Sequence, residues 1–146
     1  MTVPRLPGLT LADADQLVQT ALEVGQERGF PPLAVAVVDL TGEVIVLRRS
    51  DGGRPMTSRV AVAKARSALV SLMPSGNLDK LPPGMIDALQ NLYGGNFVPR
   101  AGGLLVTRDD VVFGAAGASG AASDEDEEAV RAAVERWQSE GADRLG

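Results

Sequence analysis

The stretch Leu33-Ala34-Val35-Ala36-Val37-Val38 constrains the fold more than any other part of the chain. It is an unbroken apolar run, rich in valine, set between Pro31-Pro32 and Asp39-Leu40-Thr41-Gly42. Branching at Cβ favours an extended backbone. A strand with one wet face would alternate polar and apolar residues, and this one does not, so it must be buried on both faces or nearly so. The turn residues at 39–42 then lead into a second strand over Glu43–Arg49, and the two form a hairpin. Asp39 is expected to serve that turn.

The remaining segments supply what such a sheet packs against. Thr10 to Arg28 reads as a helix, with Thr10 as N-cap, Asp13 completing a variant capping box, and Gly29 ending it. Leu11, Ala14, Leu17, Val18, Ala21 and Leu22 recur at helical spacing along it. A second helix is expected from about Thr57 to Leu72, with Ala61, Ala65, Ala68 and Leu72 as its core stripe. Residues 74–101 read as an irregular flap that holds a short helix near Met85–Leu92. Leu104–Thr107 and Val111–Ala115 read as a second hairpin, followed by the small-residue segment Gly114–Gly120. A last helix runs from about Asp124 to Gln138, burying Ala129, Val130, Ala133, Val134 and Trp137, and a frayed tail is expected at 140–146. The order α-β-β-α-(short α)-β-β-α has no clean βαβ alternation. It predicts an α/β (α+β) fold with a mainly antiparallel sheet and helices packed against it. At 146 residues the chain is expected to be one domain with its core over about residues 9–138.

Composition limits function more sharply than fold. Aromatic residues make up 3% of the chain, so the core is aliphatic and stacking surfaces for nucleobases are scarce. The net charge is −5, and the basic residues, 12 of 14 of them arginine, are scattered rather than gathered in a patch. Nucleic-acid binding is therefore not expected. No apolar run is long enough to cross a bilayer. Residues 1–9 carry two prolines and lack the apolar core of a signal peptide, so a cytoplasmic location is expected. Cysteine and histidine are both absent. That removes disulfides, thiolate chemistry, a Ser-His-Asp triad, and histidine-ligated zinc or haem iron.

Among the side chains left, Lys64 stands out. Thr57 and Ser71 lie seven residues to either side of it and share its helix face, so the three form a polar stripe at the margin of the core stripe. A lysine beside an apolar wall can act as acid or base, or hold a carboxylate. Its plainer role is a structural salt bridge, with Asp39 or Asp51 as candidate partners. Asp51, in the glycine-rich loop after the second strand, can orient a ligand or make an Asx turn. Arg49 and Arg54 can grip a carboxylate with their guanidinium forks. Ser119 offers a hydroxyl. The spacing Gly114-x-x-Gly117-x-x-Gly120 suggests a phosphate loop, but Asp124 to Glu128 crowd the helix start that follows and would repel an anion. Ser123 with Asp126 reads as the cap of that helix. The acidic run is not expected to bind a metal, because consecutive helical residues point in different directions. For a haem iron, the axial donors on offer are Tyr93, Met56, Met73, Met85 and Lys64.

Four segments in order carry a resemblance to a known family. They are Leu9-Thr10-Leu11-Ala12-Asp13-Ala14; the hairpin Ala36-Val37-Val38-Asp39 through Gly42 to Arg48-Arg49-Ser50-Asp51-Gly52; Ala61-Val62-Ala63-Lys64-Ala65-Arg66-Ser67-Ala68; and Gly114–Gly120 followed by Asp126-Glu127-Glu128-Ala129. Together they resemble the GlcG/HbpS family, associated with haem binding and haem degradation, over roughly residues 9–137. The resemblance implies a loosely profilin-like fold and a homo-oligomer, and it extends to the C-terminal domain of some corrinoid adenosyltransferases. The segment Leu78–Arg100 matches the family only loosely. The expected function is small-molecule binding in a pocket near Lys64, Asp51 and Ser119 at a subunit interface, with haem or another anionic, partly apolar molecule as ligand. The alternatives are a cofactor-independent isomerase or lyase using Lys64 as acid or base with Asp51 or Arg49 orienting the substrate, and an accessory structural subunit.

Overall fold

The apolar run becomes β1 (Ala34–Val38), buried at all five positions. β1 pairs antiparallel with β2 (Val44–Arg49) on one side and with β4 (Val111–Ser119) on the other. β3 (Gly103–Arg108) pairs antiparallel with β4, which gives the order β2-β1-β4-β3. The computed structural model describes the backbone of residues 2–145 and the side chains of residues 2–141. Among the described residues α1 (Leu11–Glu27), α2 (Met56–Ser71) and α4 (Ser123–Leu145) pack on the sheet, and a further helix, α3 (Pro83–Tyr93), lies away from it. A 3-10 turn at Ser75–Lys80 lies between α2 and α3. This is the mixed fold with an antiparallel sheet that the element order predicts.

Alternation along β1 sends its residues to two separate cores. Val35 and Val37 face α1 and α4, where they meet Leu17, Val18, Val106, Val130 and Trp137. Ala34, Ala36 and Val38 face α2 and meet Ala61, Ala65, Ala68 and Ala115. The α2 side has almost no large side chains because the helix backbone lies directly on the sheet. Gly103 and Gly117 are cross-strand partners. A Cβ at Gly117 would run into the Ala61 carbonyl, and one at Gly103 into the Lys64 carbonyl. These glycines serve close approach.

That packing explains the largest departure from expectation. β4 continues through the small-residue segment to Ser119 instead of ending at Ala115. Gly114 to Ser119 have low strand propensity, but pairing with all of β1 and the space requirement of α2 override it. The other departures are local. Leu11 is exposed at the first turn of α1, although the Thr10–Asp13 capping box forms as expected. α2 stops at Ser71, and Leu72 takes a left-handed backbone with φ 56° and an exposed side chain, so it leaves the core stripe. α4 begins after Ala122, and its capping acceptors come from within the helix. Glu125 accepts from the Ala122 amide and Asp126 from the Ala121 amide, in place of the expected Ser123 cap. At its far end α4 is helical through Leu145 where a tail was expected; Gly146 lies outside the described residues.

The flap is better tied than its composition suggests. The Ser67 hydroxyl accepts from the Val98 amide at 2.7 Å, and the Ser75 hydroxyl accepts from the Gly103 amide at 2.9 Å while donating to the Arg100 carbonyl. These bonds fix the two ends of the flap. α3, between them, has no buried residue.

Candidate functional site

Lys64 lies in the middle of α2, and its side chain turns toward the end of the sheet where β4 hands over to α4. The path is open because residue 102 is glycine: a Cβ there would come within 2.8 Å of Lys64 Cδ and 2.9 Å of Nζ. Lys64 Nζ donates to the Ala118 carbonyl at 3.1 Å and to Asp126 Oδ2 at 3.0 Å. Both partners of this ion pair are buried, with side chains 4% and 2% exposed. The second Asp126 oxygen accepts from the Ala121 amide at 3.0 Å. Burial pushes the Asp126 carboxyl above its ordinary value, and the Lys64 ammonium and the Ala121 amide pull the other way without cancelling it. Asp126, and neither Asp39 nor Asp51, is thus the partner of Lys64. Asp39 is occupied by its own turn, where it accepts from the Thr41 and Glu43 amides and from the Thr41 hydroxyl.

The ion pair floors a cleft of 340 Å³. Its lining includes the hydroxyl residues Thr57, Ser119 and Ser123, the apolar residues Met56, Val60 and Val98, and the solvent-exposed arginines Arg54 and Arg100. The Thr57 hydroxyl is spent on the Arg54 carbonyl at 2.6 Å, which holds the loop before α2 against the helix. Ser119 is 8% exposed, and its hydroxyl has no hydrogen-bond partner among the described residues.

The remaining candidates lie elsewhere. Asp51 borders a separate 150 Å³ cleft between α1 and the Pro31-Pro32 segment. Arg49 is exposed, with a long 3.4 Å contact from its guanidinium to the Pro55 carbonyl. Ser71 bonds back to the Ser67 carbonyl at 2.7 Å, an ordinary intrahelical arrangement, so the Thr57–Lys64–Ser71 stripe is split. Tyr93 stacks on Phe97 and lines a different groove of 700 Å³ with Leu40, Leu69, Val70 and Val112. Arg66 also lines that groove, its guanidinium fixed by the Gly42 carbonyl at 2.8 Å and Asn96 Oδ1 at 2.9 Å. The pattern of the sequence did not point to Arg100, nor to Asp126 as the partner of Lys64. Arg100 sits in the segment with the weakest pattern. Asp126 was hidden among five consecutive acids, and only its spacing from the Ala121 amide distinguishes it. Among the described residues, no group of histidine, cysteine, aspartate and glutamate side chains is placed to hold a metal ion, and no helix is long and apolar enough to cross a membrane.

Comparison with solved structures places this architecture. The chain is similar to Klebsiella pneumoniae protein ORFY at 23% identity and a TM-score of 0.83, with 94% of this chain and 95% of that one covered, a likeness of fold. It is similar to HbpS at 29% identity and a TM-score of 0.81, covering 92% and 93% of the two chains. It is also similar to PduOC, solved as a haem complex, at 28% identity and a TM-score of 0.79, covering 88% and 94%. Comparison with curated proteins finds no match. The model of the family described as haem degrading protein, HbpS-like, matches residues 9–135, and the chain belongs to that family.

Proposed function

We propose that this chain is a small-molecule-binding protein and that its ligand site is the cleft beside Lys64. The observation that carries this reading is a cleft that holds a buried ion pair together with the Ser119 hydroxyl, which no protein group engages among the described residues. A hydroxyl left open to a cleft can donate to or accept from a ligand. Lys64 itself is a structural cation here: its ammonium is spent on Ala118 and Asp126, so acid or base catalysis by Lys64 is not part of the proposal. A compound that raises the melting temperature is expected to shift the backbone amide signals of residues 119–123 in an NMR titration. Stabilising compounds whose shifts all map elsewhere would remove the cleft from the account.

Haem is the ligand that the family and the PduOC complex suggest, and one observation favours a place for it in this chain. The Tyr93 groove is about twice as large as the cleft at Lys64, mostly apolar, and is lined by both a tyrosine and an arginine. Tyrosine ligates haem iron in other proteins, and a fixed arginine suits a propionate. Bound haem would supply an iron centre; Tyr93 would hold it and Arg66 would orient it. Haemin titration should then give a sharp, saturable Soret band that Tyr93→Phe displaces. A broad, unsaturable spectrum identical in both proteins would sink this second reading. Assembly with further copies of the chain belongs to the proposal as well, supported by α3, which buries none of its residues and exposes Met85, Leu92 and Tyr93. Sedimentation that returns a monomer would refute it.

A further inference from the structure

We infer that the Lys64 cleft takes a small dianion, a dicarboxylate or a phosphate, clamped between Arg54 and Arg100 with the Ser119 hydroxyl as a neutral contact. This rests on the reading of the cleft as the ligand site and goes beyond it by naming the chemistry recognised.

The chain is acidic overall, with a net charge of −5. The residues lining this cleft reverse the balance, with Arg54, Lys64 and Arg100 against Asp126 alone. That one carboxylate is neutralised in place, one oxygen on the Lys64 ammonium and the other on the Ala121 amide. The cations of the lining left without a carboxylate are Arg54 and Arg100, both solvent-exposed. Arg54 comes from the loop before α2 and Arg100 from the loop before β3, so two separate parts of the chain contribute an arginine to the lining of one cleft. Neither has an acidic partner among the described residues, whereas Arg28, Arg48, Arg131 and Arg136 each have one. A concave, partly apolar wall strengthens the field of such charges toward an anion.

Partners offset part of the acidic run at the start of α4, while the Glu125 charge still acts on Asp126 and Asp124 has no partner among the described residues. Asp126 is held by Lys64, Glu125 by the Ala122 amide, Glu127 by Arg131 and Glu128 by Arg28. Four of the five acids are thus engaged with partners of their own. Size sets the rest: 340 Å³ suits a compact molecule of a few carbons, with Met56, Val60 and Val98 beside its apolar part.

The experiment is an NMR titration of the 15N-labelled chain with succinate and, separately, with inorganic phosphate, following the arginine Nε–H signals and the amides of residues 119–123. Saturable shifts are expected. Arg54→Gln and Arg100→Gln should each weaken binding at least about tenfold, as loss of a charge-assisted hydrogen bond does. Lys80→Gln, which removes a positive charge outside the cleft, should not. Whichever anion binds more tightly identifies the group recognised. Equal binding in wild type and both arginine variants would overturn the inference, as would unmoved signals with both anions. Neutral succinamide separates the two levels of the argument. If it shifts residues 119–123 as well as succinate does, the cleft remains a ligand site but the dianion clamp is wrong. If neither compound nor phosphate moves these signals, the clamp fails, and the cleft itself is left to the wider ligand test above.

Discussion

The two faces of the sheet are built by opposite means. Under α1 and α4 the core is made of large aliphatic side chains and Trp137, so the helices stand off the sheet and are held by apolar contact. Under α2 the contact surface is alanine and glycine, so the helix backbone rests almost on the strands. The first arrangement can absorb small changes, because flexible side chains lie between the backbones. The second cannot, because what would collide is backbone. The candidate site lies at the end of the rigid face, and this teaches why a lysine can be buried there: the close-packed main chain holds the Ala118 carbonyl in place, and the Asp126 carboxylate supplies the opposite charge.

Substitutions can break that contrast. The largest effect is expected from Lys64→Met, which leaves Asp126 buried without its cation and should cost about 3–5 kcal/mol in chemical denaturation. Lys64→Met combined with Asp126→Leu should recover a large part of that loss, since the uncompensated charge goes with it. A double variant as unstable as the single would mean that the pair is not what holds the α2–α4 junction. On the opposite face, Leu17→Ala should cost about 3 kcal/mol through its cavity while leaving the Lys64 cleft able to bind. Gly117→Ala should cost about 2 kcal/mol by overpacking against the Ala61 carbonyl. Unlike Leu17→Ala, it should also displace α2 and weaken ligand binding at the cleft. Equal effects of Leu17→Ala and Gly117→Ala on binding would erase the distinction between the faces.

The smallest expected effect concerns Asp13, which ties the start of α1 to α4. Partial burial raises this carboxyl, but the Thr10 amide, the Trp137 indole at 3.1 Å and the Arg108 charge outweigh it, and it sits below its ordinary value. A depressed carboxylate stabilises the fold above the unfolded-state value of 3.8 and loses that contribution as pH falls through its lower folded value. Asp13→Asn should therefore cost about 1 kcal/mol at neutral pH and less below pH 3.8. A cost that stays constant across that range would show that the charge plays no part.

Local signals accounted for much of the architecture. The capping box at Thr10 and Asp13, the Asp39 turn, the apolar stripe of α4 from Ala129 to Trp137 and the doubly buried β1 all follow from spacing within one element. Ala116 to Ser119 did not read as strand, because nothing in those residues favours an extended backbone; the demand came from α2, more than 40 residues earlier. Leu72 matched the α2 stripe by period but fell outside it, because the helix ends one residue sooner.

The same division runs through the site. By itself the sequence determined the inventory: no histidine, no cysteine, a single lysine in an alanine-rich helix, and hence no thiol, imidazole or triad chemistry. It also marked Lys64, Thr57 and Ser119 as candidates, because polar residues among small apolar ones are conspicuous in any pattern. Only the tertiary structure decided that Lys64 pairs with Asp126, that Arg54 and Arg100 line the same cleft, and that Asp51 and Tyr93 belong elsewhere. The physical reason is range. Helical and strand periodicities act over a few residues, whereas Lys64 and Asp126 are brought together by a sheet that needs β1, β3 and β4 in place before their charges come within reach.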